Sequence, residues 1–414
     1  MLYDNGQLVS LYANAYMATK NELYKETVYE TTQFVERELM HDIGAFYSSL
    51  DADSDNAKGE LEEGAFYIWK KEELQKIITT DYALFAAYFN VNANGKWEEG
   101  NYNLVRKHSV AEFCIAYKLK EEDLIDKIAN WKKILLQERA KKARPRLDDK
   151  TLTSWNALML KGYVDAYTAF EDQHFLDIAL KNANFIAKIQ MKGDGSLYRN
   201  YKNGKSTIVA YLEDYATVAD AFISLYQVTL DEKWLKLAKQ LTDYSFDHFF
   251  DDTTKMFFFT SNLETGLITR KMDANDNVIA SSNSITANNL FKLGHYYTNK
   301  TYLATAKTML NNVKEKALQY GSGSSNWLLL YSNFVANFYE VAVVGEDALI
   351  KIKDINKQYI PNKLIAGSFT ESNLSLLQNR YFEGETKIFI CVDGACRMPT
   401  SDSKKAIKMM QMKY

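Results

Sequence analysis

The chain has 414 residues, 47% of them hydrophobic and 25% charged, with a formal net charge of −3. This length leaves room for a large core or two domains, and the near-neutral balance gives no basic footprint for nucleic acid. No run of 18 apolar residues suggests a membrane span, and three cysteines (Cys114, Cys391, Cys396) are too few for a disulfide scaffold and suit a reducing compartment.

The first segment, 5–19, places Leu8, Leu11, Tyr12, Ala15 and Tyr16 on one helical stripe, and a second helix is expected from about Glu22 to Leu39. This hairpin recurs. A polar helix start is followed 11 residues on by a closing position, and 8 residues later by an aromatic: Asn5, Tyr16, Tyr24; Asn156, Tyr167, Phe175; Tyr215, Tyr226, Trp234; Asn283, Gly294, Tyr302. A fixed internal period marks a repeat architecture. Short apolar segments expected as strands follow the first three copies: Ala45–Tyr47, Leu197–Tyr198 and Met256–Phe259. A fifth inner helix is expected over Trp327–Tyr339. Hairpins packed in a ring aim their inner-helix starts at one mouth.

Two stretches break the pattern. Residues 48–142 read as an insertion, with the acidic Asp51-Ala-Asp53, a strand over Gly64–Trp69, one or two charged helices over 109–142, and a solvated basic helix end at 139–142. Residues 341–414 read as a small α/β appendage on a helical domain spanning 1–340. Its strands are expected at Val341–Val344, Leu364–Ala366 and Ile388–Cys391, and its helix over 402–413. The start of the chain has no charged-then-apolar signal-peptide pattern.

Several ordered segments together carry a resemblance. They are Met1-Leu-Tyr-Asp-Asn5, Asp51-Ala-Asp-Ser54 with Glu63–Trp69, Arg146–Lys150 with Leu152–Asn156, Leu212–Ala216, Ser282-Asn-Ser284, and Cys391–Cys396 followed by Pro399-Thr400. On these the chain resembles the spermatogenesis-associated protein 20 family, whose bacterial members are called thioredoxin-domain-containing proteins. The resemblance implies a mainly α fold, an incomplete (α/α)6 toroid similar to six-hairpin glycosidases and sugar 2-epimerases, and a sugar-related site. It also implies that a thioredoxin-like domain is missing from this chain, that Met1 is an internal residue, and, with the low cysteine use, a cytoplasmic setting.

The inner-helix starts are the best candidate site. Asp4-Asn5, Trp155-Asn156, Asp214-Tyr215 and Ser282-Asn283 occupy equivalent positions. Carboxylates, amides and aromatic faces are what a polyhydroxylated ligand needs, although Asp4, Asp214 and Ser282 are equally good helix caps. Glycoside hydrolysis requires two carboxylates about 5–9.5 Å apart, and Asp4 and Asp214 are the expected acid/base pair. Trp155 and Tyr215 are expected to stack on sugar faces, Asn5, Asn156 and Asn283 to orient hydroxyls, and Asp51 and Asp53 to overhang the mouth. Arg270 would clamp an acidic group.

Epimerisation by paired histidines is disfavoured, because none of His41, His108, His174, His248 and His295 lies at an inner-helix start. Asp51-x-Asp53-x-Asp55 opens like a calcium loop but has Asn56 where glycine is required. With no zinc-ligand spacing or nucleotide-binding loop either, no metal or cofactor is expected. Cys391 and Cys396 are expected as buried thiols beside a strand, with a disulfide or a labile pair across a hairpin as the alternative.

The function expected is binding or processing of a carbohydrate-like ligand, by a glycosidase- or isomerase-like reaction if the chain is an enzyme. The competing reading is a non-catalytic scaffold serving the thioredoxin-like domain.

Overall fold

A computed structural model describes residues 1–56 and 58–411. The chain divides into two compact units, one formed by residues 1–48 and 149–414 and the other by Ser49–Asp148. The helices, in chain order, are α1 (Leu2–Thr19) and α2 (Glu22–Glu38); α3 (Lys71–Ile77), α4 (Tyr82–Tyr88), α5 (Val110–Tyr117) and α6 (Glu121–Arg139) in the second unit; then α7 (Thr153–Phe170), α8 (Gln173–Phe185), α9 (Leu212–Thr229), α10 (Glu232–Phe249), α11 (Ser282–Tyr296), α12 (Lys300–Gln319), α13 (Ser325–Val335), α14 (Ala348–Asn356) and α15 (Ser403–Gln411). The helix expected over 402–413 is α15; positions 412 and 413 lie outside the described residues. None of the described helices is long and apolar enough to cross a membrane.

The first unit is built from the repeated hairpins. α1, α7, α9, α11 and α13 lie side by side as an inner layer, and α2, α8, α10 and α12 each pair with the inner helix before them. This is an arc of an (α/α)6-type toroid made of four hairpins and a fifth inner helix. The fifth is shorter than expected and ends at Val335, because Tyr339 already belongs to a strand.

The repeat spacing has a local cause. After each of the first three inner helices one residue turns left-handed, Lys20, Glu171 and Leu230 at φ 56–58°. Its N–H returns to the carbonyl of Tyr16, Tyr167 and Tyr226, the closing position of each copy. An Asn or Asp then caps the outer helix: Asn21, Asp172, Asp231 and, in the fourth copy, Asn299. The aromatic three residues past that cap is buried in the last three copies, as Phe175, Trp234 and Tyr302.

Helices α1 and α7 approach backbone to backbone. A Cβ on Gly6 would lie 2.7 Å from the Leu158 carbonyl carbon, and one on Gly162 would lie 2.7 Å from the Gly6 oxygen. Glycine is required at both because the helices cross where a methyl group has no room.

The appendage is a four-stranded sheet of β1 (Tyr339–Val344), β2 (Lys363–Ser368), β3 (Lys387–Val392) and β4 (Ala395–Cys396), in the order β2–β1–β3–β4. β1 and β2 are parallel, with α14 as the crossover that a parallel pair needs. β2 is an edge strand whose free groups are taken up by the ends of the inner helices. Tyr226 Oη bonds both the N–H and the carbonyl of Gly367, each at 3.2 Å. Gln227 accepts from Ile365 N–H and Tyr296 donates to the Ile365 carbonyl. The appendage therefore seals the end of the arc where the inner helices finish.

In the second unit an aromatic core of Trp69, Phe85, Tyr88, Phe113 and Trp131 binds α3–α6 together. Two expectations are corrected here. Gly64–Ile68 is a turn, opened by Gly64 at φ +76°, and only Trp69–Lys70 is strand. The basic run is not a solvated helix end. The Arg139 guanidinium lies over Phe66 and Tyr67, while Lys142 lies 4.0 Å over the Trp69 ring and donates to Ile68 O.

Candidate functional site

The repeated polar residue at each inner-helix start has a structural job. Asn156 accepts from Phe46 N–H at 2.8 Å and donates to the Phe46 and Leu152 carbonyls. Asn283 does the same to Phe257, at 2.9 and 2.8 Å, and also donates to Asp273 O. Tyr215 Oη accepts from Leu197 N–H at 2.9 Å. In each case the inner helix clamps the short apolar segment that ends the preceding hairpin. This corrects the expectation that Asn156 and Asn283 orient ligand hydroxyls, since both amide donors of each are spent on main chain and the residues are fully buried. Tyr215 stacks on Tyr244 at 5.2 Å and is 1% exposed, so it offers no face to a ligand. Asn5 turns back on its own helix, donating to Met1 O.

The acids at the starts are divided between capping and open positions. Asp214 is fully buried and accepts from the main-chain N–H of Tyr211, before its own helix, and of Ser154, in the first turn of α7. One carboxylate thus caps two helices, and the positive ends of both favour its charge. Arg199 donates to it at 3.1 Å and lies over the Tyr211 ring. Burial still dominates and pushes the Asp214 carboxyl up to about 6.

Asp276 joins the starts of α11 and α13 in the same manner, accepting from Ser281 and Asn326 N–H, and Asp273 accepts from Ser282 N–H. Asp4, by contrast, is 45% exposed, beside the Met1 amino group.

Glu213 is a residue the motif spacing passed over. Its side chain is 19% exposed, its Oε1 is buried and accepts no hydrogen bond, and the Arg199 guanidinium stands 3.8 Å away. The available signal was the doublet Glu213-Asp214: one acid caps the helices and its neighbour points elsewhere. Trp155 is partly exposed and meets Tyr3 edge-on at 4.8 Å. Across the mouth, Gln7 on α1 donates to Val278 O ahead of α11. The structure thus gathers Tyr3, Asp4, Trp155, Arg199, Glu213 and Asp214 on the starts of α1, α7 and α9 and the strand segment between them.

Below this mouth the inner faces stay polar. Ser10 and Lys161 both bond Asp165, the latter at 2.7 Å, and Lys292 bonds Asp220 at 2.6 Å. Burial alone would lower the Lys161 ammonium, but the charges of Asp165 and Asp220 outweigh it and leave it raised. Burial would likewise raise Asp220, and Lys292 and Lys161 bring it below its ordinary value. These groups keep 17–28% of their side-chain surface open. Lys161, Asp165 and Lys292 line a cavity of about 220 Å³ that reaches Lys363 of β2, whose ammonium burial holds down to about 8. The sequence signal was the 4-then-3 spacing of Lys161, Asp165 and Thr168, repeated by Asp220, Ser224 and Gln227, on otherwise buried helices.

Other expected site residues have different settings. Asp51 and Asp53 belong to the Ser49–Asp148 unit. Arg146 bonds Asp51 at 2.8 Å and holds its carboxyl below the usual range. Asp53 begins a two-strand hairpin, paired with Glu63. Asn56 is bonded to Glu62, the two positions a calcium loop would have needed. Arg270 is corrected as a ligand clamp: it donates to the carbonyls of Thr260 and His248 and lies 4.1 Å over Phe258. The cysteine pair is corrected too. Cys391 and Cys396 form a disulfide across β3 and β4.

Residues 132–337 match a family model described as the β-L-arabinofuranosidase GH127 catalytic domain. Among curated proteins, spermatogenesis-associated protein 20 of Homo sapiens is 26% identical over 99% of this chain, which spans 57% of that protein's length. Among solved structures, a GH76 α-mannanase of Bacteroides thetaiotaomicron superposes with a TM-score of 0.46 at 12% identity, covering 91% of this chain and 81% of the other. Cellobiose 2-epimerase of Bacillus thermoamylovorans gives 0.43 at 12% identity, covering 76% and 60%. Along 99% of its length the chain is similar to spermatogenesis-associated protein 20 of both Homo sapiens and Mus musculus, the resemblance its ordered motifs carried.

Proposed function

We propose that the chain binds and processes a carbohydrate at the mouth formed by the starts of α1, α7 and α9. The observation that carries this reading is the match of residues 132–337 to a glycosidase catalytic-domain model, because that span contains the helices that deliver Trp155 and Glu213. Trp155 supplies an aromatic face for a sugar ring. Asp4 is the exposed carboxylate and Glu213 the one with an oxygen that accepts no hydrogen bond, and glycoside hydrolysis needs one to protonate the leaving oxygen and one on the opposite face. This reading gives the acid/base role to Glu213 in place of Asp214, whose oxygens are occupied by main-chain N–H groups and Arg199. Asp214 acts through Arg199, which it holds beside Glu213. A β-L-arabinofuranoside is the first substrate to try, by analogy with the family model alone.

The test is turnover of a panel of aryl glycosides, led by the β-L-arabinofuranoside. Glu213→Gln should reduce kcat by a factor of about 10² or more with thermal stability unchanged, and Trp155→Ala should mainly raise KM. If no glycoside is turned over, or if Glu213→Gln retains full activity on one that is, the assignment fails.

A further inference from the structure

The disulfide in the appendage has the features of a reactive bond. Cys391 on β3 and Cys396 on β4 face each other across a hairpin whose two-residue turn, Asp393-Gly394, is left-handed at φ 50° and 77°. That turn matches the twist of the strands and fixes the two cysteines directly opposite one another.

The two sulfurs are not equivalent. Cys391 is fully buried, whereas Cys396 belongs to a solvent-exposed edge strand. A single guanidinium serves both. Arg380 Nη1 donates to Cys391 Sγ and Nη2 to Cys396 Sγ, each at 3.4 Å. Arg380 is itself held in place over the Phe389 ring and in the field of Glu340, which is paired with His295 of α11. A neutral disulfide has little use for a cation on its sulfurs, but a thiolate does: positive charge beside a cysteine stabilises the thiolate and makes it a better leaving group.

We propose that Cys391–Cys396 is a thiol–disulfide exchange site for small thiols, with Cys396 the sulfur attacked and Cys391 the leaving group. An incoming thiolate attacks Cys396 Sγ, where solvent reaches. The new bond joins the thiol to Cys396, the Cys391–Cys396 bond breaks, and its electron pair goes to Cys391 Sγ as a thiolate beside Arg380 Nη1. A second thiolate attacks the sulfur of the bound thiol and releases the external disulfide and the Cys396 thiolate. Two external thiols are oxidised, the cysteine pair gains two electrons, and the two protons lost by the thiols are available to the pair. The reverse reaction uses an external disulfide as oxidant.

The test uses the chain without denaturant, with glutathione as the probe and alkylation followed by mass measurement as the readout. Reduced glutathione should open the bond, so that exposed Cys396 becomes alkylated in the folded chain while buried Cys391 and Cys114 do not, and oxidised glutathione should restore it. The variants separate the roles. With oxidised glutathione, Cys391→Ser should take up one glutathione at Cys396 and release one as the thiol, and Cys396→Ser should take up none at Cys391. Arg380→Met should slow opening about threefold, the effect of roughly one pK unit at a Brønsted slope of about 0.5, and Arg380→Lys should restore most of the rate. A bond that opens only after the protein is unfolded, equal uptake by both cysteine variants, or an unchanged rate in Arg380→Met would each overturn the proposal. These outcomes do not depend on whether any glycoside is a substrate.

Discussion

The starts of the inner helices and their middle turns carry the same kinds of side chain and use them in opposite ways. At the starts, Asp214, Asp273, Asp276, Asn156 and Asn283 are consumed by main chain, capping helices and clamping strand segments. One turn and more below, Lys161 bonds Asp165 and Lys292 bonds Asp220, and all four keep part of their side-chain surface open. A buried polar group without its partner costs far more than one that can turn to water. Position along the helix therefore decides whether a polar residue builds the fold or remains available. Glu213 and Trp155 are the informative exceptions, since both sit at the starts and both remain partly open.

Substitutions test this contrast in descending order of effect. Asp214→Ala should be the most costly, at about 3–5 kcal/mol, because it strands the largely buried Arg199 and two helix N–H groups; urea unfolding measures it. Asn156→Ala should follow at about 2–4 kcal/mol, from the loss of the Phe46 clamp, with the same readout. Asp220→Asn beside the cavity lysines should cost least, about 1 kcal/mol or less, because solvent reaches both Lys161 and Lys292. A loss at Asp220 as large as that at Asp214 would erase the distinction between the two regions.

The pH dependence sharpens the same contrast. Asp214 is raised from 3.8 to about 6 by burial, so between these values the folded chain holds a proton that the unfolded chain has released. The stability contributed by this group is therefore greatest below about 4 and falls as pH rises through about 6. Asp214→Asn should remove that slope from the urea midpoint measured across this range. A wild-type slope unchanged in the variant would mean that the carboxyl titrates normally.

Much of the architecture was legible because the hairpin period is written in the sequence. The closing tyrosines and the buried aromatics each mark a local event: a left-handed turn and a filled core position. The three main strands of the appendage were legible from β-branched runs such as Val341-Ala-Val-Val344. The Gly64–Trp69 segment misled because its aromatic run looks like a strand, while Gly64 commits the backbone to a turn. The candidate site was only half legible. The equivalent positions were found, but their roles depended on neighbours distant in sequence: Asn156 on Phe46, and Asp214 on both Ser154 and Arg199. The cavity charges were missed because attention to helix starts hid the polar stripe deeper on the same helices. The disulfide could not be chosen over two buried thiols without the strand register that sets Cys391 opposite Cys396.

The most direct test of the central claim, that this mouth receives a sugar, is the shift in thermal midpoint on adding monosaccharides and aryl glycosides to the wild-type chain and to Glu213→Gln. A ligand at a hundred times its Kd should stabilise the wild type by about 2.7 kcal/mol, seen as a rise of several degrees. Trp155→Ala, with its unliganded midpoint preserved, should lose most of that rise. If no sugar moves the wild-type midpoint, or if a sugar moves wild type and Trp155→Ala equally, the mouth is not a carbohydrate site.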